Sequence, residues 1–385
     1  MRLTMKGVWA LVVVVALVGA GCGSSNNKAS SSDTSAKSTS STTSAGSSKL
    51  AAFEAKVKAD TEKATSADPA KPPTDGPKAA AGKSVFVIGC SFQAEGCARP
   101  SKAAAEAVKA IGWKATLIDT QSDPAKAANS VRQAISQKAD GIIVNAFDGP
   151  ALAAPLAAAR KAGLKLVGMV ATDPNNAYDI IMPDTLEPDG YLNGEMAYQL
   201  SGGNLKLLMF TGDEFGVVKQ RVAGTERFIN DCKAAGGKCE IVGKQDVLAA
   251  QLGTQVPAQA AALARKHPDF NVSYTPYDGA GTFIIQGLKQ SGVDMSKSQM
   301  VGFDANAPNI DIIRKDGYEK STIGFPLEWM GYQAVDNLNR MFNGQDPVKL
   351  NTLHKLLTKD NVPPKGAWEG DFPGFRDTFK TAWGK

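Results

Sequence analysis

From residue 84 onward the chain alternates short apolar runs with longer amphipathic stretches, and it does so twice over. The runs at 85–89, 115–119, 141–145, 165–170 and 180–182 are separated by helical stretches at 103–111, 124–137 and 151–162. Mostly apolar strands with amphipathic helices between them describe a parallel sheet covered on both faces. The pattern then restarts, with strands at 205–211, 240–243, 272–274, 300–303 and 322–325 and helices at 217–235, 255–266, 282–290 and 308–315. The chain is therefore expected to be an α/β protein of two similar lobes, each a parallel sheet with helices on both faces. A last helix, 330–342, is expected to return to the first lobe.

A different kind of sequence precedes this body. Arg2 and Lys6 flank the start of an apolar run, Val8 to Val18, which ends in Gly19-Ala20-Gly21 before Cys22. A bilayer span takes about 20 apolar residues, so the run reads as an export signal, residues 1–21, rather than as a membrane helix. LVGAGC is similar to the lipobox of bacterial lipoproteins, in which the cysteine carries diacylglycerol, although Gly19 stands where Leu is usual. Cleavage there removes Arg2 and Lys6 and lowers the formal charge from +5 to +3. Residues 22–81 follow as an extension: a Ser/Thr-rich tether over 23–48, a short amphipathic helix over 49–64 and a Pro-rich spacer over 68–77.

The other four cysteines fall into two local pairs, Cys90 with Cys97 and Cys232 with Cys239, each seven residues apart. Two disulfides in an oxidising compartment use them all. A four-thiolate zinc site is the competing reading, but neither pair has C-x-x-C spacing and the pairs lie far apart. Cys232, on a helix, could also be buried and unpaired. No cofactor or metal is expected. The charge is too small for a nucleic-acid surface, and no basic cluster is interleaved with aromatics. Both histidines, His267 and His354, fall outside the strand-end loops, and G-x-S-x-G, H-E-x-x-H and P-loop patterns are absent. Asp213 and Glu214 are adjacent at a strand end, where side chains point apart rather than facing across a glycosidic bond. No catalytic residue is expected.

In open parallel sheets ligands bind beyond the carboxyl ends of the strands. The loops there span 91–99, 145–149, 171–176, 212–220, 276–279, 304–306 and 326–329, and they combine planar hydrogen-bonding groups with aromatics. A sugar needs that combination, because its hydroxyls meet carboxylates, amides and guanidinium while its C–H faces pack on rings. Asn145, Asp148, Arg221, Asp278, Asp304 and Asn306 supply the first set; Phe92, Phe147, Phe215, Tyr277, Phe325 and Trp329 supply the second. Plainer readings compete. Asp278 and Asp304 could cap the helices that follow them, Arg221 could be a solvated helix residue, and Phe147 and Trp329 could pack between lobes. Asn145 ends the apolar strand GIIVN and is hard to explain as core.

At these residues the chain resembles the type 1 periplasmic binding proteins, the ribose-binding-like sugar receptors of ABC transporters, over roughly 82–347. KSVFVIGCSF, which ends in Phe92, is similar to that family's first strand and ligand loop. KADGIIVNAFD is similar to its third strand, which implies a sugar contact for Asn145. GDEFGVVKQRVAGTERF implies the sugar-binding Arg at Arg221, and VGFDANAP implies the ligand Asp at Asp304. In YTPYDGAG, Tyr277 replaces the usual Asn while Asp278 is kept; in STIGFP, Phe325 stands where Gln is frequent. Val170-Ala171 occupies the place of an Asp-Arg pair, and the pair Cys90 and Cys97 adds a disulfide to the first loop. These departures imply a ligand less hydroxylated than ribose, or more apolar on one face.

The resemblance further implies a hinge of three segments near 182–184, 325–326 and 344–348, closing lobes 82–183 with 326–348 and 184–325 with 349–385 around the ligand. It implies a monomer on the extracytoplasmic face of the membrane, held by its lipid, that delivers a monosaccharide or polyol to an ABC permease. Presentation of a ligand to a sensor kinase or chemoreceptor, or binding of a nucleoside, are the alternatives. A repressor with this fold needs a helix-turn-helix headpiece where this chain has its export signal and tether.

Overall fold

The computed structural model describes residues 41–67, 71–183, 186–349 and 354–385. The expected export signal, Cys22 and residue 184 of the first crossing lie outside them. A helix, α1 (Ser41–Thr65), precedes the body. The first sheet holds five parallel strands in the order β2-β1-β3-β4-β5: β1 (Ser84–Gly89), β2 (Lys114–Asp119), β3 (Gly141–Asn145), β4 (Lys165–Met169) and β5 (Ile180–Met182). Helices α2 (Glu95–Ala110), α3 (Pro124–Ser136) and α4 (Ala153–Lys161) connect them. Every residue of β3 is buried, as its unbroken apolar run requires.

The second sheet repeats the scheme with β6 (Asn204–Thr211), β7 (Lys238–Asp246), β8 (Val272–Tyr274), β9 (Gln299–Asp304) and β10 (Glu319–Gly324), joined by α6 (Gly216–Ala234), α7 (Val256–Lys266), α8 (Asp278–Ser291) and α9 (Ala307–Arg314). Its order is β11-β10-β9-β8-β6-β7, and only β11 (Lys355–Thr358) runs antiparallel. In each sheet the first strand sits between its second and third, so the strand order reverses at β1 and at β6. Crevices for ligands open at such points, beyond the carboxyl ends of the strands.

The ten strands expected from the sequence all form, while β11 and two helices were not anticipated. One is α5 (Glu187–Leu200), which carries Pro188, Gly190 and Gly194. Those glycines are packing devices: a Cβ on Gly190 would strike the backbone of Arg221, and one on Gly194 would strike Phe228, because α6 crosses α5 at backbone contact. Helix α2 starts at Glu95 rather than near 103 and runs through Pro100. Its first turn is stapled to the end of β1 by the disulfide Cys90–Cys97, and Cys232–Cys239 likewise staples α6 to β7.

Helix α10 (Leu327–Phe342) returns to the first lobe, packing on α2 and β4. The chain then visits the second sheet as β11 and ends in the other unanticipated helix, α11 (Phe375–Ala382), against α10, where Tyr332 stacks on Trp383 with ring centroids 6.0 Å apart. The segments 355–358 and 375–382 therefore belong to different lobes. The N-terminal extension is divided in the same way. In α1, Phe53 packs on Tyr198 and Phe228, and Val57 and Thr61 are buried against the second lobe. Further along, Pro77 O accepts from Asn339 Nδ2 at 2.7 Å and Ala80 O from Trp113 Nε1 at 2.6 Å, both on the first lobe. The helix begins at Ser41, inside the expected tether: once Phe53 and Val57 dock, further turns add hydrogen bonds without a new nucleation step.

Candidate ligand-binding cleft

The strand ends of the two sheets face each other across a narrow cleft. From the first lobe Ala94, Gly96, Cys97, Ala146 and Val170 line it; from the second Phe215, Val217, Val218, Arg221, Tyr277 and Asp304 do, with Leu327 at the base. Backbone strain marks the same place. Ala146, Val170 and Asp304 sit at φ 59°, 48° and 98°, in the left-handed region that non-glycine residues avoid, a β-branched Val most of all. Such outliers concentrate at functional sites because the surrounding fold has to hold them in place.

Arg221 is the centre of the second lobe's wall. Its buried guanidinium donates from Nη2 to Asp304 Oδ1 at 2.9 Å and from Nη1 to Pro276 O at 3.0 Å, while Nε has no partner. The rings of Phe303 and Phe325 lie 4.6 and 4.7 Å from its central carbon. Cation–π contact and an ion pair together hold a charge that burial alone would expel. Tyr277 stands beside it with its ring edge-on to Phe215, and its hydroxyl is buried without a partner. Burial pushes that phenol above its ordinary range, with Glu214 and then Asp304 adding to the effect, so it stays a neutral donor.

The other residues expected at the ligand take supporting places. Asn145 is buried beneath the first lobe's wall and donates to Cys97 O at 3.0 Å and Ser101 Oγ at 3.3 Å, tying the disulfide-bearing turn to β3. Asp278 lies under the second wall, accepting from Asn306 N at 2.9 Å and Thr322 Oγ1 at 3.0 Å. Gly302 lies between it and Glu319, and a Cβ there would touch both carboxyls. Burial first, then Glu319 and Asp304, drive Asp278 well above the carboxylate range, and burial pushes Glu319 up to about 7. Phe325 covers Arg221 from behind and packs its ring 4.3 Å from that of His354. Phe92 leans on Gly89, outside the cleft lining. Arg221, Tyr277 and Asp304 are thus brought together, whereas Asn145, Asp278, Phe325 and Phe92 are not among the lining.

Two contacts close the lobes on each other. Asp148, on the first lobe, accepts from Thr172 N and Oγ1 at 2.7 and 2.8 Å and, across the cleft, from Gly216 N at 3.0 Å. Gly216 opens α6, so the carboxylate meets the positive end of that helix. Arg99, on α2, donates to Asp304 O, Asn306 Oδ1 and Trp368 O at 3.2, 2.7 and 2.8 Å and pairs with Glu328 at 2.7 Å. Glycine permits the approach: a Cβ on Gly96 would lie 2.8 Å from Asp304 Oδ2. Neither Asp148 nor Arg99 stood out in the sequence as a lobe-to-lobe contact; the strand-end position of Asp148 was the available signal. In this arrangement the cleft offers about 40 Å³ to water-sized centres, room for a few waters at roughly 10–15 Å³ each, so a sugar enters only if the lobes part.

Among the described residues, no group of three His, Cys, Asp or Glu is placed to hold a metal, and no helix is long and apolar enough to cross a membrane. Asp213 and Glu214 do not form a facing pair: the Asp213 N–H donates to Asp246, while the Glu214 carboxylate accepts from Ala249 N.

Solved structures share the architecture. An ABC transporter solute-binding protein of Bacillus halodurans with bound myo-inositol superposes with a TM-score of 0.66 at 17% identity, covering 73% of this chain and 96% of that one. One of Burkholderia graminis in complex with D-arabinose gives 0.65 at 20% identity, covering 74% and 98%. One of Agrobacterium vitis with bound D-fucose gives 0.65 at 21%, covering 76% and 99%. No curated protein matches the chain in sequence. The model of the periplasmic binding protein domain matches residues 85–346, which hold the cleft and both sheets apart from β11. The chain belongs to the periplasmic binding protein family.

Proposed function

We propose that this protein is the extracytoplasmic solute receptor of an ABC importer, a binding protein rather than an enzyme, that closes its lobes on a monosaccharide or polyol. The buried Arg221–Asp304 pair at the facing strand ends carries the reading. It offers a forked donor and a carboxylate acceptor side by side, the chemistry that adjacent hydroxyls meet. Tyr277 and Phe215 add a ring edge and a ring face beside them. That neighbours of the same fold hold myo-inositol, D-arabinose and D-fucose supports the ligand class.

Closure follows from where the contacts lie. The Asp148–Gly216 and Arg99–Asn306 bonds exist only when the lobes meet, and a ligand that touches both walls adds to them, shifting the population towards the closed form. We assign residues 82–183 and 326–348 to the first lobe, joined by 71–81 and 375–385, and residues 186–325 to the second, joined by 41–65 and 355–358. The hinge runs through the crossings near 182–184, 325–326 and 344–348. Diacylated Cys22 would hold the receptor as a monomer near its permease, with anchoring stable once more than one acyl chain inserts. Thermal unfolding of the full-length protein in detergent tests the ligand class: a bound solute at 100 times its Kd adds about 2.7 kcal/mol. A panel of monosaccharides and polyols of which none raises the transition overturns it.

A further inference from the structure

The two walls of the cleft are chemically unlike, and the difference names a ligand. On the first lobe the lining side chains are Ala94, the disulfide of Cys97, Ala146 and Val170, with Gly96 between them. None of these side chains can accept or donate a strong hydrogen bond. Two polar groups stand behind that wall: Asn145 donates from Nδ2 to Cys97 O and Ser101 Oγ while its buried Oδ1, outside the lining, has no partner, and Asp148 accepts from Thr172 and from Gly216 N. On the second lobe the unpaired groups belong to the lining itself: Arg221 Nε and the Tyr277 hydroxyl are buried with no partner, and Asp304 holds Arg221 through one oxygen and turns the other towards Gly96. A buried polar group without a protein partner is costly, and on a residue that lines the cleft it is open to a polar guest.

Resting on the receptor reading above, we infer that the cleft selects a one-sided ring: a deoxygenated monosaccharide whose hydroxyls meet Arg221, Tyr277 and Asp304 and whose methyl or methylene edge lies on the wall of Ala146, Val170 and the Cys90–Cys97 disulfide. The fully hydroxylated parent sugar would turn a hydroxyl onto that wall, stripping it of water with nothing to replace it. An apolar pocket rejects an added hydroxyl by up to about a hundredfold. Wall rigidity sharpens the choice, since Ala146 and Val170 are held at positive φ and the turn is stapled, so the surface does not swing a polar group in from elsewhere.

Isothermal titration of the full-length protein in detergent against matched pairs tests this: D-galactose with D-fucose, L-mannose with L-rhamnose, D-glucose with its 6-deoxy form, and myo-inositol as a ring hydroxylated all round. In at least one pair the deoxy sugar is expected to bind tenfold or more tighter than its parent, and myo-inositol more weakly than the best deoxy sugar. An Ala146→Asn variant, which places an amide in the wall at a φ that Asn tolerates, is expected to narrow that preference. Parents that bind as tightly as their deoxy partners in every pair overturn the one-sided site and leave the receptor standing. Binding by none of these rings overturns both.

Discussion

The two lobes build their halves of the cleft by opposite means. The second lobe presents charge and hydroxyl, held by an ion pair and two aromatic rings; the first presents small apolar groups beside a stapled turn. Both sheets have the same topology around their first strand, so topology alone does not decide which lobe does the chemistry. The contrast teaches a division of labour. One lobe supplies the hydrogen bonds, and the other acts as a lid that excludes water and strengthens them by lowering the local dielectric.

The largest effect is expected where the second wall is cut. Arg221→Met removes one partner of a buried pair and leaves Asp304 uncompensated, which costs about 3–5 kcal/mol of stability. Chemical denaturation should show that loss, and the ligand-induced rise in melting temperature should vanish. Adding Asp304→Asn removes the stranded charge, so the double variant should regain stability without regaining binding. A single variant that stays fully stable and still responds to sugar would show the first wall to be the recognising one.

The second lobe also stores a pH response. Burial raises Glu319 from 4.5 to about 7, and Asp278 beside it is raised as well, so the folded protein holds protons that the unfolded chain releases. Stability from these groups is full below about pH 4.5 and is lost as pH climbs through about 7. For Glu319 alone the loss over that window is on the order of 3–4 kcal/mol, at about 1.4 kcal/mol per pH unit. Glu319→Gln, a permanently neutral side chain of the same shape, should make the decline measured by denaturant unfolding at pH 5, 7 and 8.5 shallower, the remainder coming from Asp278 and from Glu195, which burial pushes up to about 8. An unchanged slope would mean that the pair does not share its protons in the fold.

These two regions also differ in how readable they were. The strands were legible because β1, β3, β6 and β9 each hold a run of apolar residues; Asp304 was legible because it ends β9, Tyr277 because it follows β8 closely, and Arg221 through the family resemblance of its helix. Position after a strand does not say which way a side chain points. Asn145 and Asp278 occupy equally good positions, yet both turn beneath the walls, Asn145 to hold the disulfide turn and Asp278 to meet Glu319 across Gly302. The first wall itself was the least legible part. Nothing in a Val or an Ala announces a left-handed backbone, a conformation usually carried by Gly or Asn, so Val170 and Ala146 read as ordinary strand-end residues. The glycines of the unanticipated α5 likewise serve helix contact, which the sequence does not announce.

The disulfides give a matched test of the comparison, because each closes the same span of seven residues, one in each lobe. Loop entropy makes each worth about 2.5 kcal/mol. Cys232→Ser with Cys239→Ser should lower the melting temperature and leave affinity intact, since that bridge ties α6 to β7 away from the lining. Cys90→Ser with Cys97→Ser should lower the melting temperature similarly and also weaken binding, since Cys97 is part of the wall. Equal affinities in the two variants would show the stapled turn to be scaffolding only.

The smallest effect belongs to the contact that joins the halves. Asp148 touches neither Arg221 nor Tyr277; it accepts from the first N–H of α6 across the cleft, a bond present only when the lobes meet. A charge-assisted bond of this kind is worth about 1.5–3 kcal/mol when intact. Part of that survives in Asp148→Asn, whose amide oxygen still accepts, whereas Asp148→Ala leaves Gly216 N open and Thr172 without its acceptor. The alanine variant should therefore weaken binding by about tenfold, and by the same factor for every sugar, because it shifts the closing equilibrium rather than any contact with the guest. Titrations with two sugars of different affinity measure that factor directly. A loss that differs between the two would place Asp148 among the groups that recognise the ligand, and the first wall would no longer be the apolar one.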